Sequence, residues 1–446
     1  MESKLSKNIP DLAKGEVFSL KVVKKKSHGS HSRRRISRCI REVPLLRLAG
    51  GNKMRWSIFA LITVSTALMI GSALAQGTDV PGDNNGDKIV SAEEVAAAEK
   101  LAQEGKLSAD ELQEIKHIHE KYPISITDSA NRTVTIYKPV EGIVLLNTYS
   151  YEPLYILGLE DKLVGVTSSA KSLYPWLNGM EEKPEVGTYL EFDYERMVEL
   201  KPDLIIASAK VANDLEAKVP GAKVAVLRFV NQSLFEKELK TIAEITGCKE
   251  RCEEYLAWRQ DKLDLLKTKV DGLDPEDKTR VYCEWAEWPL HSGGKGSPKD
   301  ITISQAGGKS ITGDLGPDSQ YEISPEWLIM QNPQAILLDN SQDAYYNPTT
   351  LVQYNMTSTE KAEKFLKEIV KRKEVAGTDA AKNGRMLILE EMMVDGTRSY
   401  IGSIYLAKWL YPDLFGDLNP EEVHEEYFEK WLGVPYKGIW AYPPAS

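Results

Sequence analysis

Oxygen-bearing side chains recur at alternate positions in the stretch DNNGDKIVSAEE, residues 83–94. Asp83, Asn85 and Asp87 occupy its first, third and fifth positions, and Glu94 occupies its twelfth. Ca²⁺ is a hard cation that takes about six to eight oxygen ligands, and this spacing offers them together with the backbone carbonyl of Ile89. We therefore expect these five residues to bind a calcium ion.

This stretch is similar to EF-hand and dockerin-type calcium loops, but it departs from their pattern at one position. The sixth residue is Lys88, where the pattern has a glycine that permits a sharp turn. The departure predicts weak binding, in the range of about 10⁻⁴–10⁻³ M that is typical of extracellular modules. The alternative is that these residues form only an acidic, capped helix start that follows a linker.

Aromatic, hydroxyl and cationic side chains follow several apolar, strand-like runs further along the chain. Open α/β sheets bind ligands at the carboxyl ends of their strands, so we expect these side chains to line one cleft. Indole and phenol faces suit a flat macrocycle or a catecholate, and arginine suits a carboxylate or a phosphate. The alternative for each aromatic residue is ordinary packing. The candidates are Thr148, Tyr149, Ser168, Ser169, Trp176, Tyr189, Trp285, Trp288, His291, Arg398 and Tyr400.

The sequence contains no Ser-His-Asp set, no nucleophile elbow and no paired carboxylates placed for acid–base work, which argues against an enzyme. The glycine-rich run at 291–297 lacks phosphate-loop spacing. Direct binding of bare zinc or manganese generally needs several imidazoles, and after residue 124 the chain has only His291 and His424. A metal that is already chelated by a carrier fits this scarcity better.

The elements that must position these residues form two alternating series of strands and helices. Residues 124–248 open with a predicted β-hairpin and continue with apolar strands such as GIVLLN and LIIAS, as in a parallel sheet with both faces covered. Residues 249–272 contain a long run without proline that predicts one continuous helix, and the alternation resumes over 278–435. We predict an α/β fold of two lobes joined by this helix, with the ligand cleft between them and a small helical segment at 83–122.

Two segments repeat one pattern on either side of the long helix. DYERMVELKPDLIIAS (193–208) and SPEWLIMQNPQAILLDN (324–340) each combine a capping residue, a glutamate, an apolar helix, a proline and a buried strand. With ANRTVTIYKPVEGIVLLN, YILGLEDKLVGVTSS and ISQAGG, these segments are similar to the Fe/B12 periplasmic-binding family. This family comprises substrate-binding proteins of ABC importers, and the resemblance covers roughly residues 125–435.

The resemblance implies that the protein captures an iron-siderophore, haem or cobalamin-type complex and delivers it to the transmembrane permease subunits. One glutamate on each lobe would dock into arginine pockets of the permease, and the matching positions are Glu195 and Glu326. Asp193 and Ser324 would cap the helices that carry these glutamates. We expect a monomer. Two alternatives remain: a surface receptor or sensor without transport, and a chelatase-like enzyme of the same architecture.

The first 75 residues are predicted to be a targeting sequence. Residues 1–53 hold fourteen Lys or Arg against four acids, and we interpret them as a basic leader or an over-extended start. Residues 54–75 combine a basic start, an uncharged apolar run and an Ala73-Leu74-Ala75 exit, which is typical of a signal peptide. The alternative is that residues 57–75 remain as a membrane anchor. Both interpretations place the rest of the chain outside the cytoplasm.

The net charge and the number of cysteines argue against two further classes of protein, nucleic-acid-binding and disulfide-rich. The net charge is −10 despite the basic leader, so the body is acidic, and we expect no nucleic-acid partner because phosphate contacts need a basic face. Four cysteines are too few for a disulfide scaffold. Cys248, Cys252 and Cys283 are expected to be buried thiols or one occasional disulfide.

Overall fold

The computed structural model describes residues 80–188, 191–230, 232–317, 320–341 and 350–444. The predicted leader and the apolar segment 57–75 lie outside these ranges. Within them, no helix combines the length and the apolar character that crossing a bilayer requires. Cys248, Cys252 and Cys283 are free thiols.

The first elements of the described residues are two short helices, α1 (Ala92–Gln103) and α2 (Ala109–Lys121). Each begins with a reciprocal capping box, Ser91 with Glu94 and Ser108 with Glu111, which satisfies amides that a helix start otherwise leaves unpaired. The two helices pack around a small apolar core of their own, formed by Val80, Val90, Ala98, Ile115 and Ile118.

A β-hairpin follows, as the sequence predicts. Strands β1 (Ile124–Thr127) and β2 (Thr133–Ile136) pair antiparallel, with Thr127 opposite Thr133. Asp128 holds the turn by accepting hydrogen bonds from the backbone amides of Ala130 and Arg132, both at 2.9 Å.

The first lobe contains a four-stranded parallel sheet, in which the strand order is β4-β3-β5-β6. Almost every strand residue is buried because helices cover both faces of the sheet, and this explains the continuous apolar runs in the sequence. The strands are β3 (Ile143–Leu145), β4 (Leu163–Val166), β5 (Leu204–Ala207) and β6 (Lys223–Val226). The helices are α3 (Tyr151–Ile156), α4 (Ser168–Leu173), α5 (Tyr194–Leu200), α6 (Ala212–Lys218) and α7 (Gln232–Thr246).

The long helix α8 (Lys249–Val270) connects the two lobes. Its 22 residues span about 33 Å at the usual rise per residue. Tyr255, Trp258 and Leu266 on its inner face are buried in the large core that includes residues of both lobes. A continuous hydrogen-bonded helix packed in this way limits how far the lobes can move apart.

The second lobe repeats the strand order of the first and adds one strand at the edge. Its order β9-β7-β11-β12 corresponds to β4-β3-β5-β6 of the first lobe, and β13 pairs beside β12. Only β13 runs antiparallel to its neighbour. The strands of the lobe are β7 (Arg280–Trp285), β8 (His291–Ser292), β9 (Lys309–Ser310), β10 (Tyr321–Glu322), β11 (Ala335–Asn340), β12 (Met386–Glu390) and β13 (Ala441–Tyr442). Strands β8 and β10 form a separate small ribbon.

Helices cover this second sheet as well. They are α9 (Pro298–Gln305), α10 (Pro325–Gln331), α11 (Glu360–Ile369), α12 (Lys373–Ala376), α13 (Asp379–Lys382), α14 (Ser399–Leu410) and α15 (Pro420–Glu426). A π-helical segment, Tyr427–Leu432, continues from α15. The architecture is therefore α/β lobe, long helix, α/β lobe.

Candidate functional site

The first lobe contributes the strand-exit loops of β3 and β4 to the cleft. Thr148 and Tyr149 follow β3, and Ser168 and Ser169 begin the helix after β4; all four are half-buried. Asn147 orders this wall, because its side-chain amide donates to the carbonyls of Leu227 at 2.8 Å and of Arg228 at 3.0 Å. The exit loops of β3 and β6 are thereby joined into one surface.

The second lobe contributes a buried lysine between two aspartates. The ammonium of Lys299 in α9 forms ion pairs with Asp339 of β11 and with Asp395, and lies 3.8 Å from the ring centroid of Trp285. Burial alone would lower the pKa of Lys299, but the two carboxylates outweigh burial and raise it above its usual value. The lysine is therefore held as a cation whose charge is neutralised by its neighbours.

Tyr149 of the first lobe faces these acidic residues across the cleft. Burial raises the pKa of its phenol well above the usual value, and the negative charges of Glu391 and Asp395 raise it further. Burial likewise raises the pKa of Glu391 to about 7, although a hydrogen bond of 2.7 Å from Ser341 Oγ opposes the effect. The phenol of Tyr149 therefore stays protonated and can donate a hydrogen bond.

Three carboxylate oxygens at this floor lack a hydrogen-bond partner within the described ranges. Asp339 Oδ1, Asp395 Oδ1 and Glu287 Oε2 are buried and have no hydrogen-bond partner among the residues that the structure describes. Buried polar atoms normally find a partner. Because the protein covers these oxygens, a small opening of the lobes would be needed before donors on a ligand could satisfy them. The floor therefore favours ligand groups that carry N–H or O–H donors.

The exit loop of β7 brings three predicted site residues together. The ring centroids of Trp285 and Trp288 lie 6.4 Å apart, and those of Trp288 and His291 lie 5.8 Å apart. Trp288 is 49% exposed, although burial is the usual state of an indole. An accessible indole at the edge of a cleft is suited to covering a flat ligand face.

Trp176 occupies a different environment from Trp288. It is 6% exposed and packs in an aromatic cluster, with Tyr354 at 5.2 Å and Trp440 at 5.6 Å between ring centroids. These partners belong to the second lobe, whereas Trp176 belongs to the first. Its place in the structure is the packed contact between the lobes, as the packing alternative predicts.

Arg398 and Tyr400 were also predicted to contact ligand, and their placement argues against this. Arg398 is fully buried; it forms ion pairs with Glu152 at 3.2 Å and Glu390 at 2.9 Å, and lies 4.5 Å from the ring centroid of Trp440. Tyr400 is fully buried as well, and its hydroxyl lies 3.4 Å from that of Tyr255 in α8. Both side chains have protein partners: Arg398 connects the two lobes, and Tyr400 connects the second lobe to α8. Tyr189, the remaining candidate, lies outside the described residues.

The predicted calcium loop at 83–94 folds as a turn closed by its own amides. Asp83 Oδ1 accepts from Gly86 N at 2.7 Å, and Glu94 Oε1 accepts from Asn84 N at 2.7 Å. Lys88 adopts a left-handed backbone with φ of 68°, the conformation for which the pattern usually has glycine. The turn therefore forms despite the lysine.

Its carboxylates do not assemble a metal site, however. Glu94, the expected bidentate ligand, directs its second oxygen to Ser91 N at 2.9 Å in the capping box. Across the described ranges, no group of three or more His, Cys, Asp or Glu side chains is placed to hold a metal ion. The prediction of calcium bound by Asp83, Asn85, Asp87, Ile89 and Glu94 is not supported, and the capped helix start accounts for the residues.

The two glutamates of the repeated pattern occupy the same position in matching helices. Glu195 is the second residue of α5 and Glu326 the second residue of α10; both helices have seven residues. The caps are as predicted: Asp193 accepts from Arg196 N at 2.9 Å, and Ser324 accepts from Trp327 N at 3.1 Å. Each helix ends at a left-handed residue before a proline.

The surroundings of these glutamates also match. Both carboxylates are exposed, and neither forms an ion pair within the described part of the chain. Three residues after each glutamate stands an exposed aliphatic side chain, Val198 at 43% and Ile329 at 51%, and Met330 is 75% exposed. Each lobe thus presents an acidic group beside an apolar one, a composition suited to contacting another protein.

Sequence reasoning missed Lys299, Asp339, Asp395 and Glu391 as residues of the cleft. One indication was available: in AILLDN an acid stands next to last in an otherwise apolar, buried strand, close to the strand end where α/β proteins place functional groups. Lys299 gave no such indication, because lysine near the start of a helix is ordinarily exposed.

Comparisons with known proteins agree with this geometry. A family model described as periplasmic binding protein matches residues 143–392. An uncharacterized ABC transporter substrate-binding lipoprotein of Bacillus subtilis is 25% identical over 328 residues, which cover 72% of this chain and 95% of that protein. A cobalamin-binding protein of Halobacterium salinarum is 23% identical over 245 residues, which cover 52% of this chain and 64% of that protein.

A solved structure has the same fold. The TroA-like periplasmic binding protein FepB from Veillonella parvula superposes with a TM-score of 0.60 at 23% identity, covering 72% of this chain and 99% of that one. Two α/β lobes on one long helix, with a cleft between them, define the class of two-lobed solute-binding proteins. The chain belongs to the periplasmic binding protein family. Members of this family bind solutes and are not enzymes, so the predicted fold and the predicted absence of catalysis are both confirmed.

Proposed function

We propose that the protein is the extracytoplasmic substrate-binding component of an ABC importer. In this proposal it captures a metal complex of the iron-siderophore, haem or cobalamin type in the cleft between its lobes and delivers the complex to the permease. It acts as a monomer on the outer side of the membrane, either released after cleavage near Ala75 or retained through residues 57–75.

One observation carries the proposal: Glu195 and Glu326 occupy equivalent positions on the two lobes. Both are exposed, both lack an ion-pair partner in the residues described, and each stands beside an exposed aliphatic residue. Complementary charges at two separated points fix the register and orientation of a complex more than its affinity. A permease with one basic pocket for each lobe would therefore recognise the loaded protein in a single orientation.

The side chains of the cleft support the class of ligand. Trp288 offers an accessible indole face, Tyr149 a protonated phenol, and Asp339 and Asp395 unpaired acceptor oxygens. A large complex with a flat conjugated face and peripheral N–H or O–H groups would use all of these features. The name of the cobalamin-binding relative is consistent with such a ligand.

A thermal-shift screen of the purified protein tests the proposal. Ferric siderophores, haem and corrinoids would each be compared with the corresponding metal-free chelator as the matched control. Oxyanions would be included in the same panel. A ligand at a hundred times its Kd should raise the free energy of unfolding by about 2.7 kcal/mol, which is readily measured. We expect stabilisation by one class of metal complex and none by its metal-free chelator; an unchanged melting temperature across the panel would contradict the proposed ligand class.

A further inference from the structure

A cavity of about 270 Å³ lies between the lobes beside the cleft floor, with walls from both lobes. Arg228, Leu234 and Glu238 line it on one side, and Lys295, Ser297 and Pro298 on the other. We propose that this cavity binds an anionic group of the captured ligand, a carboxylate or a phosphate, between Arg228 and Lys295. The inference rests on the proposed function in that it adds a charged subsite to the same cleft.

Neither cation of the cavity forms an ion pair within the part of the chain that the structure describes. Arg228 is exposed and, among the arginines of the described ranges, it alone has no side-chain hydrogen bond, ion pair or ring contact. Lys295 is exposed, and its ammonium has no ion-pair partner in the same ranges. Two unpaired cations on opposite walls of one cavity attract an anion of fitting size.

The loop that presents Arg228 is held in a strained conformation. Phe229 has φ of 56°, a left-handed backbone that is costly for a bulky residue. Glu238 keeps the loop in place, because its carboxylate accepts from Arg228 N at 3.0 Å, from Phe229 N at 2.6 Å and from the hydroxyl of Ser129. The oxygens of Glu238 thus accept from the backbone and from Ser129 rather than from the guanidinium of Arg228, which stays available to a ligand.

The opposite wall is the start of α9. Ser297 caps this helix and Pro298 is its first residue, so the positive end of the helix dipole is directed toward the cavity. The backbone of Lys295 is fixed by a hydrogen bond of 2.7 Å from its amide to the carbonyl of Gly316. The next residue of α9 is Lys299 of the cleft floor, so the cavity and the floor share one helical turn.

The cavity adjoins the cleft on the side of the first lobe as well. Asn147 connects the carbonyl of Arg228 to the loop that carries Tyr149. Behind the cavity, Gln305 of α9 donates to Gln232 of α7 at 3.0 Å and joins the two lobes. An anionic arm bound here would contact both lobes at once and would favour their closed arrangement around the ligand.

Anion titrations on variant proteins test the inference. Melting temperatures would be measured with inorganic phosphate and with acetate, at constant ionic strength set by KCl, for the wild type, Arg228→Gln, Lys295→Gln and their combination. Lys364→Gln serves as the control, since Lys364 is exposed and lies outside the cavity. The substituted residues are on the surface, so the variants should melt like the wild type without added anion.

We expect at least one anion to stabilise the wild type and the control. Each single substitution should weaken this binding about tenfold, and the double substitution should abolish it. A stronger effect of phosphate assigns a phosphate arm to the ligand, and a stronger effect of acetate assigns a carboxylate arm. No stabilisation of the wild type by either anion, or equal stabilisation of the double variant, would overturn the inference. These outcomes do not depend on the metal-complex screen, so a failure of the proposed ligand class and a failure of the anion subsite are distinguishable.

Discussion

Arg398 and Glu152 form a fully buried ion pair that joins the two lobes, with 3.2 Å between Arg398 Nε and Glu152 Oε1. Glu152 also accepts hydrogen bonds from Thr397 at 2.6 Å and from Tyr427 at 2.8 Å, so three groups of the second lobe hold one carboxylate of the first. Together with the aromatic contacts of Trp176, this pair makes the interface between the lobes a packed one. Closure on a ligand is therefore expected to be a small movement.

Removal of one partner of this pair should destabilise the protein strongly. Arg398→Gln leaves Glu152 as an uncompensated buried charge, and we expect the free energy of unfolding to fall by about 3–5 kcal/mol. Arg196→Gln is the matched control, because it breaks the exposed pair with Glu199 and should cost less than about 1 kcal/mol. Urea unfolding of both variants measures the difference. A stable Arg398→Gln variant that binds ligand poorly would contradict this prediction and would indicate that Arg398 contacts the ligand.

The two tryptophans Trp288 and Trp176 should respond differently to truncation. Trp288→Ala removes an indole that is 49% exposed, so we expect little change in stability and a loss of ligand affinity of about tenfold or more. Trp176→Ala removes an indole that is 6% exposed and should lower the free energy of unfolding by about 3–5 kcal/mol. Calorimetric titration and thermal unfolding distinguish the two effects. Equal ligand affinity of Trp288→Ala and the wild type would exclude Trp288 from the site.

The raised pKa of Glu391 predicts a dependence of stability on pH. The folded state holds a proton on this carboxyl up to about pH 7, whereas the unfolded chain releases it near its usual pKa. The folded protein therefore binds more protons in this interval, and its stability falls as the pH rises from about 5 to 7. One pKa unit corresponds to about 1.4 kcal/mol, so the loss should be of the order of 1 kcal/mol or more.

Glu391→Gln should reduce the slope of this profile, because the amide does not titrate. The exposed Glu326→Gln variant serves as the control and should keep the slope of the wild type. Urea unfolding at pH 5, 6 and 7 gives the three profiles. An unchanged slope in Glu391→Gln would show that another group, such as the buried Glu390 whose pKa also rises to about 7, carries the effect.

Local patterns in the sequence predicted most of the architecture. The hairpin, the buried parallel strands and α8 follow from runs whose periodicity depends on near neighbours alone. The repeated helices α5 and α10 were located for the same reason, since the cap, the glutamate and the proline all lie within ten residues of each other.

Local patterns could not predict which side chains are buried by contacts between the two lobes. Arg398 looked like a ligand-binding arginine because its partner Glu152 lies 246 positions earlier in the chain, where nothing in the local pattern marks it as a counter-ion. Asp83, Asn85, Asp87 and Glu94 looked like calcium ligands because spacing does not reveal whether carboxylates turn toward a metal or toward backbone amides. In the structure Asp83 accepts from the amide of Gly86, and Glu94 accepts from those of Asn84 and Ser91. Asn85 and Asp87 accept from the amides of Asp87 and Ile89.

The measurement that tests the central claim most directly is uptake through the cognate permease. Wild-type protein, Glu195→Gln, Glu326→Gln and the double variant would be loaded with the ligand that the screen identifies and added to permease-containing proteoliposomes supplied with ATP. Glu199→Gln is the matched control, because Glu199 lies on the same helix as Glu195 but pairs with Arg196 at 2.8 Å. We predict unchanged ligand affinity in every variant, transport reduced about tenfold or more in the double variant, and normal transport in the control. Normal transport by the double variant, or ligand binding without transport by the wild type, would contradict the account, and the second result would favour a receptor or sensor.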